Sequence, residues 1–400
     1  NYSTHQPLIR KVKTAPSTFS FRDLRKKITE RENRKLGLVN RIFLWINYFC
    51  IVSLLASYFA KLINPNAFWP LAFFGLAYPI ILICNLFFIV FWSLQFRWLG
   101  WFSLIAVLLG WNSFFNHVQF NSSSTNAEKA SSVKVMSYNC MLFDLYNWNN
   151  ENNKKSRIDI FEMLNRENLD ILCLQEFFTS ENPKSFDNKK DVGTALGMQY
   201  CYSEYTTTLR NEDHWGIATY SRFPIVRTGK IDFKTKTNNI CIFTDVIIGK
   251  DTVRIYNMHL QSIQFRKEDY KFVDDVLTDK SDQELEHSKN ILRRLKRGFI
   301  KRADQVQLVN ESIRKCPYKV IVCGDFNDTP SSYAYHQIKG ELKDAFMERG
   351  KGFEKTYRGR MPAFRIDYIL HDPDFETLEY KKIEQSITDH FPITARIGIK

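Results

Sequence analysis

The sequence predicts an α/β sandwich preceded by a membrane region of three apolar helices. A long apolar stretch early in the chain, between residues 42 and 115, carries the membrane part of this prediction. After it, short β-rich runs alternate with helical stretches, which is typical of sheets flanked by helices. This second region contains no GxGxxG and no phosphate-binding P-loop, so a nucleotide-binding sheet is disfavoured.

The apolar stretch is too long for one buried helix. Between Ile42 and Phe115 there is no Asp or Glu, and Lys61 and Arg97 are the only basic residues. Three spans fit it, at 42–60, 68–94 and 98–115, and each approaches or exceeds the ~20 residues that cross a bilayer. Tryptophans near the proposed ends suit the level of the lipid headgroups. We therefore expect a transmembrane region over 42–115.

The formal net charge of +13 is concentrated ahead of the spans. Residues 1–41 hold eleven Lys/Arg against three Asp/Glu, whereas the residues after 115 carry only +3. A basic cytoplasmic tail explains this asymmetry through the positive-inside rule. Three spans then place the rest of the chain in the periplasm or outside the cell, anchored in the inner or cell membrane. If 98–115 instead lies in the interface or pairs re-entrantly, the rest stays in the cytoplasm.

A polar linker at 116–132 separates the spans from a globular domain expected at 133–400. Helical spacing of apolar residues predicts helices at 156–165 and 303–313. Eight β-rich runs predict strands, at 133–139, 170–175, 216–221, 240–248, 252–260, 318–324, 364–370 and 393–399.

The stretch 266–301 is long, charged and helical in pattern, and it is rich in Lys and Arg after residue 288. One interpretation is an inserted helix with a solvated face. The other is a flap that touches anionic substrate or lipid headgroups.

Polar side chains suited to phosphate-ester chemistry follow the ends of several predicted strands. Asp325 and Asn327 stand one residue apart, and alternation in an extended backbone directs both to the same side. An acid directly after an apolar strand, such as Glu176, needs solvent, a cation or a metal. One such residue alone is more often structural, but an ordered series is not expected by chance. The series is Asn139, Glu176, His259, Asp325, Asn327, Asp367, Asp389 and His390.

In these motifs, above all Gly324-Asp325-Phe326-Asn327 and Asp389-His390, the domain resembles the endonuclease/exonuclease/phosphatase superfamily over 133–400. The resemblance implies a DNase I-like four-layer α/β sandwich, in which two packed β-sheets are flanked by helices. The motif around His259 is similar to that of DNase I, neutral sphingomyelinases and inositol-polyphosphate 5-phosphatases. The three-span anchor resembles that of membrane-anchored bacterial members of Bacteroidetes type. Thr388 departs from the pattern, because a Ser usually precedes the Asp-His pair.

Carried over residue by residue, the resemblance implies a metal-dependent phosphoric ester hydrolase. Glu176, with Asn139 and Asp389 nearby, would hold Mg²⁺, with Mn²⁺ as the alternative ion.

The same resemblance implies the catalytic roles. Asp325 would orient or deprotonate the attacking water, and Asn327 would hold a non-bridging phosphate oxygen. His390, oriented by Asp367, would donate to the phosphate as charge develops on it. His259 would do the same, with Glu204 as a possible orienting partner.

The function that follows is membrane-anchored, Mg²⁺-dependent hydrolysis of a phosphodiester or phosphomonoester by metal-assisted attack of water. The candidate substrates are a lipid headgroup, an inositol phosphate or a nucleic acid. The lipid bilayer is the other partner, and no obligate protein partner is inferred. Two alternatives share this chemistry: a nuclease acting on extracytoplasmic DNA or RNA, and a sphingomyelinase-like phospholipase. A non-catalytic membrane scaffold is the alternative of a different class.

Overall fold

The computed structural model describes residues 36–121, 131–146, 153–234, 237–263, 282–359 and 365–399. Most of the basic tail, the central part of the linker and residues 266–281 of the charged stretch lie outside these ranges.

The apolar N-terminal region folds into helices separated by breaks. In chain order they are α1 (Leu38–Ala60), α2 (Pro65–Phe68), α3 (Pro70–Leu76), α4 (Tyr78–Leu94), α5 (Gly100–Leu109) and α6 (Trp111–Phe115). Among the described residues, α1 is the one unbroken helix that is long and apolar enough to cross a membrane, with 23 residues. The prediction of three continuous spans is therefore not confirmed in that form.

The breaks have local causes. Helices α3 and α4 meet at an angle of 67°. Pro79 lies in the first turn of α4, where its missing N–H costs nothing, whereas a helix running through it would lose a hydrogen bond. The third predicted span is divided at Gly110, which leaves α5 with 10 residues. A side chain at Gly110 would collide with the ring of Tyr58, so this glycine permits a close approach of two helices.

Helices α1, α4 and α5 pack on one another and are joined by polar side chains. Asn47 donates to the Ser103 hydroxyl over 2.6 Å and accepts from the Trp92 indole over 2.9 Å. Asn40 donates to Gln95 over 3.0 Å near the start of α1. Because polar groups in apolar surroundings are costly without partners, these bonds fix how the three helices align.

The described residues after α6 contain fourteen strands when β1 and the short edge pieces are included. They are β1 (Val118–Phe120), β2 (Ser132–Asn139), β3 (Ile171–Ser180), β4 (Tyr200–Leu209), β5 (Asp213–Ser221), β6 (Ile225–Ile231), β7 (Ile240–Ile248), β8 (Asp251–His259), β9 (Lys319–Asp325), β10 (Lys343–Asp344), β11 (Lys351–Phe353), β12 (Asp367–His371), β13 (Glu376–Lys382) and β14 (Ile393–Gly398). The helices are α7 (Asn153–Arg166), α8 (Asn188–Leu196), α9 (Asp282–Arg314), α10 (Tyr333–Lys339) and α11 (Ala345–Arg349).

Two six-stranded sheets form the core of this domain. Sheet I has the order β10-β12-β9-β8-β7-β6, and sheet II has the order β13-β14-β2-β3-β5-β4. Apolar side chains of both sheets, such as Val135 and Ile321, fill the space between them. A second core lies between sheet I and helices α9 and α10, and a third between sheet II and helices α7 and α8. The predicted two-sheet α/β sandwich is confirmed.

Each of the eight predicted strands corresponds to an observed one, but β4, β6, β13 and the short strands β1, β10 and β11 were not predicted. Strands β4, β6 and β13 are edge strands of their sheets, and their side chains are mostly half-buried or exposed. An edge strand tolerates mixed polar and apolar residues, so its sequence pattern is weak. Helix α9 joins the described part of the charged stretch to the helix predicted at 303–313.

The apolar helices rest directly on the sandwich. Strand β1 pairs with β11, and Asn66 donates to Asp304 over 2.7 Å. The His117 ring lies 2.8 Å from the Ser331 hydroxyl. A Cβ added to Gly75 would stand 3.0 Å from the backbone oxygen of Ser331, which shows how closely these two segments of the backbone approach. The two regions therefore form one packed body at this contact.

Candidate active site

Strand pairing brings three of the predicted site residues side by side at one edge of sheet I. The parallel register of β8 and β9 places His259 beside Asp325, and the antiparallel register of β9 and β12 places Asp367 on the other side of Asp325. In sheet II, Asn139 pairs with Gln175, the residue before Glu176. The sequence order of these strands is scattered, so only the fold makes them neighbours.

The ends of the two sheets meet at Asp325. The Asn139 amide of sheet II donates to Asp325 Oδ2 over 3.1 Å. The His259 Nε2 atom lies 3.6 Å from Asp325 Oδ2 and 3.7 Å from Glu176 Oε1. The imidazole therefore stands between one carboxylate of each sheet.

His390 enters the same cluster from the loop that precedes β14. Its Nδ1 atom lies 3.0 Å from Asp367 Oδ2, and its Nε2 atom lies 3.7 Å from Asp325 Oδ2. The Thr388 hydroxyl accepts from the His390 backbone N–H over 3.2 Å. Any hydroxyl can make this contact, so threonine in place of the more usual serine keeps the turn.

The charges in this cluster are strongly coupled. Burial raises the pKa of Asp325, and Asp367 raises it further, whereas His390, His259 and Asn139 oppose the rise. For His390, burial lowers the pKa, but Asp367 and Asp325 outweigh it and leave the pKa well above its usual value. An imidazole flanked by two buried carboxylates is held in its protonated form.

Ligand atoms of Asp325, Asp367 and His390 all lie within 4.8 Å of one another, a spacing at which a metal ion could bind. All three side chains are buried, and the Nδ1 atom of His390 is already engaged by Asp367. The protonated imidazole supplies the positive charge that the two acids require. We therefore interpret this cluster as a proton-handling group.

Glu176 offers a better position for a cation. It has a positive φ of 46° at a bulge of β3, and its side chain is 34% exposed. Burial raises the pKa of nearby Asp389, His390 lowers it, and Glu176 and Asp325 raise it further. Carboxylates that repel one another at an accessible position fit a divalent cation with hard oxygen ligands.

Asn139 and Asn327 line the same site with specific contacts. Asn139 Oδ1 accepts from the Met141 backbone N–H over 3.1 Å, and a carbonyl oxygen can still accept one more partner. Asn327 has a positive φ of 53°, and its side chain donates to the Leu260 oxygen over 3.0 Å. Its backbone N–H donates to Asp325 Oδ1 over 2.8 Å. The Asn139 side chain and the Asn327 backbone N–H thus bind the two different oxygens of the Asp325 carboxylate.

A cleft of about 460 Å³ opens beside Glu176 and His259. Apart from Glu176 and His259, apolar and neutral polar side chains form its walls, and no Lys or Arg is among the lining residues that the structure describes. They are Leu142, Tyr146, Glu176, Thr206, Thr207, Leu209, Trp215, Gly216, Asn238, Asn239, His259 and Ser262. A clustered basic surface for a long polyanion is therefore not part of the described cleft.

Several supporting residues escaped sequence analysis. Thr356 accepts from the backbone N–H of Asp367 over 3.1 Å and so fixes the start of β12. Beneath the cleft, Gln175 donates to Asn257 over 2.7 Å between the two sheets. Polar residues inside apolar strands were the signal for this buried pair, whereas nothing in the sequence marks Thr356. Glu204, suggested as a partner of His259, instead accepts from the Tyr202 hydroxyl over 2.8 Å.

The sandwich and the acids, amides and imidazoles at its strand ends are those of a phosphoesterase. The chain belongs to the endonuclease/exonuclease/phosphatase family, whose family model matches residues 136–390. A second family model, a domain of unknown function (DUF8431), matches residues 40–117, the apolar helices. No curated protein matches the chain.

Solved structures of similar fold come from several organisms. The human Nocturnin catalytic domain with bound sulfate is 19% identical, with 68% of this chain and 95% of that chain covered and a TM-score of 0.48. An endonuclease/exonuclease/phosphatase family protein from Bacteroides thetaiotaomicron is 18% identical, with 68% and 98% covered and a TM-score of 0.47. A mannosyl-6-phosphatase of Bacteroides thetaiotaomicron VPI-5482 is 17% identical, with 67% and 100% covered and a TM-score of 0.46.

Proposed function

We propose that this chain is a membrane-anchored, Mg²⁺-dependent phosphoesterase that hydrolyses its ester by direct attack of water. One observation carries the proposal: Glu176, Asp325 and His390 are far apart in sequence, yet His259 lies between Glu176 and Asp325, and Asp325 lies beside His390. Glu176 and His259 of this group line the cleft. A phosphoester placed there would have an acid, two imidazoles and a cation position within reach.

Asp325 is the candidate base. Its carboxylate is held by Asn139 and by the backbone of Asn327, so its direction is fixed before substrate arrives. Its raised pKa makes it a better proton acceptor than a solvent-exposed aspartate.

His390 and His259 are the candidate donors to the phosphate. Asp367 orients His390 and keeps it protonated, as a group must be to stabilise the charge that develops on the phosphoryl oxygens. Asn327 would hold a non-bridging oxygen through the amide hydrogen that Leu260 leaves free.

Glu176, with Asp389 and Asn139, would hold Mg²⁺ or, alternatively, Mn²⁺. When bound, such an ion polarises the phosphoryl oxygen and eases departure of the leaving group. The exposed side chain of Glu176 and its repulsion with Asp389 support this assignment.

Three membrane passes account for the path of the apolar helices. The 23 residues of α1 span roughly 34 Å at 1.5 Å per residue, enough for the hydrocarbon core. Asn40 at the start of α1 contacts Gln95 after α4, whereas Asn66 and His117 both contact the sandwich. The chain thus reaches the sandwich, leaves it and returns. Outward-facing apolar side chains such as Trp45 and Leu109 suit contact with lipid.

With three passes, the sandwich would lie across the membrane from the basic tail, in the periplasm or outside the cell. The proposed domains are the tail at 1–41, the transmembrane region at 42–115, the linker at 116–132 and the catalytic domain at 133–400.

The substrate class that we favour is a membrane phosphoester with a small headgroup. The cleft has neutral and apolar walls, and Ile263, next to the cleft residue Ser262, lies against Gly298 of α9. Helix α9 in turn contacts the apolar helices through Asp304 and Phe299. The cleft therefore opens near the membrane-facing side of the sandwich. A nuclease remains the second candidate within the same chemistry.

The test uses the full chain purified into lipid nanodiscs, with and without Mg²⁺. A panel of phospholipids, sphingomyelin, inositol phosphates, DNA and RNA should show metal-dependent cleavage of at least one phosphoester. Asp325→Ala and His390→Ala should abolish it, and Asp251→Ala, at the exposed opposite end of the strand that carries His259, should not. Preference for DNA with a steep loss of rate in salt would favour the nuclease. No metal-dependent turnover on any ester would refute the proposal.

A further inference from the structure

Helix α9 is held by three contacts against residues 66–73, which lie between α1 and α4. Asn66 donates to Asp304, the Phe73 ring packs edge-on against Phe299 at 5.1 Å, and the Lys296 ammonium lies 5.0 Å from the centre of the Trp69 ring. Residues 61–76 follow the end of α1, where the chain emerges from the proposed bilayer. The face of α9 that carries Lys296 is therefore turned towards the membrane surface.

The same face of α9 carries a row of basic residues. Lys289, Leu292 and Arg293 precede Lys296 by seven, four and three residues, and this spacing places them on one side of a helix. All four are exposed, including Leu292, which is 45% exposed. Between residues 289 and 301 there are six basic residues and no acidic one. We call Lys289, Leu292, Arg293 and Lys296 the α9 stripe.

We propose that the α9 stripe is a docking surface for an anionic phospholipid bilayer, with its lysine and arginine side chains on the headgroup phosphates. The proposal rests on the membrane anchoring proposed above. The stripe continues from Trp69 and α2 at the end of the first span, so the bilayer reaches it without any rearrangement. An exposed leucine between cations suits a surface that is charged on the outside and apolar beneath.

Charge complementarity identifies the occupant. Each basic side chain near an anionic leaflet gains favourable energy from the surface potential, and the gain is lost in salt. A nucleic acid would use the same charges but not Leu292, which offers no aromatic face on which a base could stack. The stripe would also hold the cleft rim, through Ile263 and Gly298, at a fixed height above the lipid.

The test measures the reactivity of individual lysines in the full chain. Protein is reconstituted into neutral phosphatidylcholine nanodiscs and into discs with about one third phosphatidylglycerol, and lysines are acetylated with a water-soluble reagent and quantified by mass spectrometry. In anionic discs, labelling of Lys289 and Lys296 should fall about fivefold, the factor expected for one basic side chain near an anionic surface. High salt should restore it. Exposed Lys189 and Lys190 on α8, across the sandwich, are the internal controls and should not change.

Variants separate docking from general charge effects. Arg293→Glu leaves both reporter lysines in place and should return their labelling in anionic discs to the neutral level, whereas Lys184→Glu should not. Equal labelling of Lys289 and Lys296 in both kinds of disc would overturn the docking proposal alone. So would protection by an oligonucleotide in neutral discs without protection by anionic lipid. Release of the wild-type chain from membranes by carbonate would instead overturn the anchoring on which it rests.

Discussion

The two sheets contribute to the cleft in different ways. Sheet I presents Asp325 and Asp367 as buried acids in direct contact with His390. Sheet II presents Glu176 as a partly exposed acid on a bulge with a positive φ. Both sets stand at strand ends, yet one is buried and in contact with an imidazole, and the other faces the open cleft.

This difference separates two tasks that phosphate-ester hydrolysis requires. Buried acids that share an imidazole are suited to moving and holding protons, and here the pKa values of Asp325 and His390 are both raised. An accessible acid near a second acid is suited to a cation. The contact between Asn139 and Asp325 joins the two sets across the sheets.

The largest expected effect comes from removing the base of sheet I. Asp325→Asn keeps the shape but loses the proton acceptor, so kcat/KM should fall by about 10³-fold, near the middle of the range for general base catalysis. Steady-state kinetics on the substrate found with the panel above would measure it. Asp251→Asn, on the same strand as His259, is the matched control. A loss of less than tenfold in kcat/KM for Asp325→Asn would show that Asp325 is not the general base.

The next effect tests sheet II. Glu176→Gln should weaken Mg²⁺ or Mn²⁺ binding by about 10²-fold, since one anionic oxygen ligand is lost, and excess metal should recover part of the rate. Calorimetric titration of Mn²⁺ and the metal dependence of the rate would both report it. Glu204→Gln, a half-buried acid of the same sheet bonded to Tyr202, is the control. If Asp367→Asn weakened metal binding more than Glu176→Gln did, the cation would be bound by the acids of sheet I and not by Glu176 of sheet II.

A smaller effect is expected in the pH profile. Asp367→Asn removes an acid that raises the pKa of His390, so His390 should lose its proton at a lower pH than in the wild type. The alkaline limb of the kcat profile should move to lower pH, with the rate at pH ~8 reduced about tenfold. Alkaline limbs that coincide in the Asp367→Asn variant and the wild type would show that His390 is not the titrating donor.

The smallest effect concerns stability, at a buried acid that follows β11. Glu354 accepts from the Tyr380 hydroxyl of β13 over 2.7 Å. Burial raises its pKa to about 7, although Arg365 opposes the rise. The folded state therefore binds the proton more tightly than the unfolded state, whose value is near 4.5. Stability should be greatest below this lower value and fall as the pH rises towards 7.

Glu354→Gln tests this directly. Between pH ~5 and ~8, the free energy of unfolding of this variant should fall by about 1–3 kcal/mol less than that of the wild type. Urea denaturation at the two pH values would measure it. Parallel curves for the two proteins would show that Glu354 does not titrate in this window.

Sequence reasoning was most effective where a strand is buried and ends in a polar residue. Asp325 and His259 follow apolar runs, so their position at strand ends could be predicted from the chain alone. Their meeting with Asp367, at the start of β12, depends on strand pairing. The edge strands β4, β6 and β13 could not, because half-exposed strands lack a clear alternation. The cleft walls also gave no signal, since Leu209 and Trp215 come close only through pairing of β4 with β5.

Hydropathy predicted where the apolar helices lie but not how they are divided. A window average treats Pro79 and Gly110 as minor interruptions, whereas one starts a new helix and the other accommodates the Tyr58 ring. Contacts such as that between Gly75 and Ser331 depend on backbone separation and leave no trace in composition.

The pairing of β1 with β11 has a mechanical consequence. Although residues 116–132 read as a polar tether, Val118 is already paired with Phe353 before most of that segment begins. Because of this pairing, residues 116–132 do not act as a flexible tether that would let the hydrolase domain move away from the apolar helices. With the anchoring proposed above, its reach would be set by the thickness of the protein between bilayer and cleft, and substrates would reach that height by their own diffusion within or along the lipid.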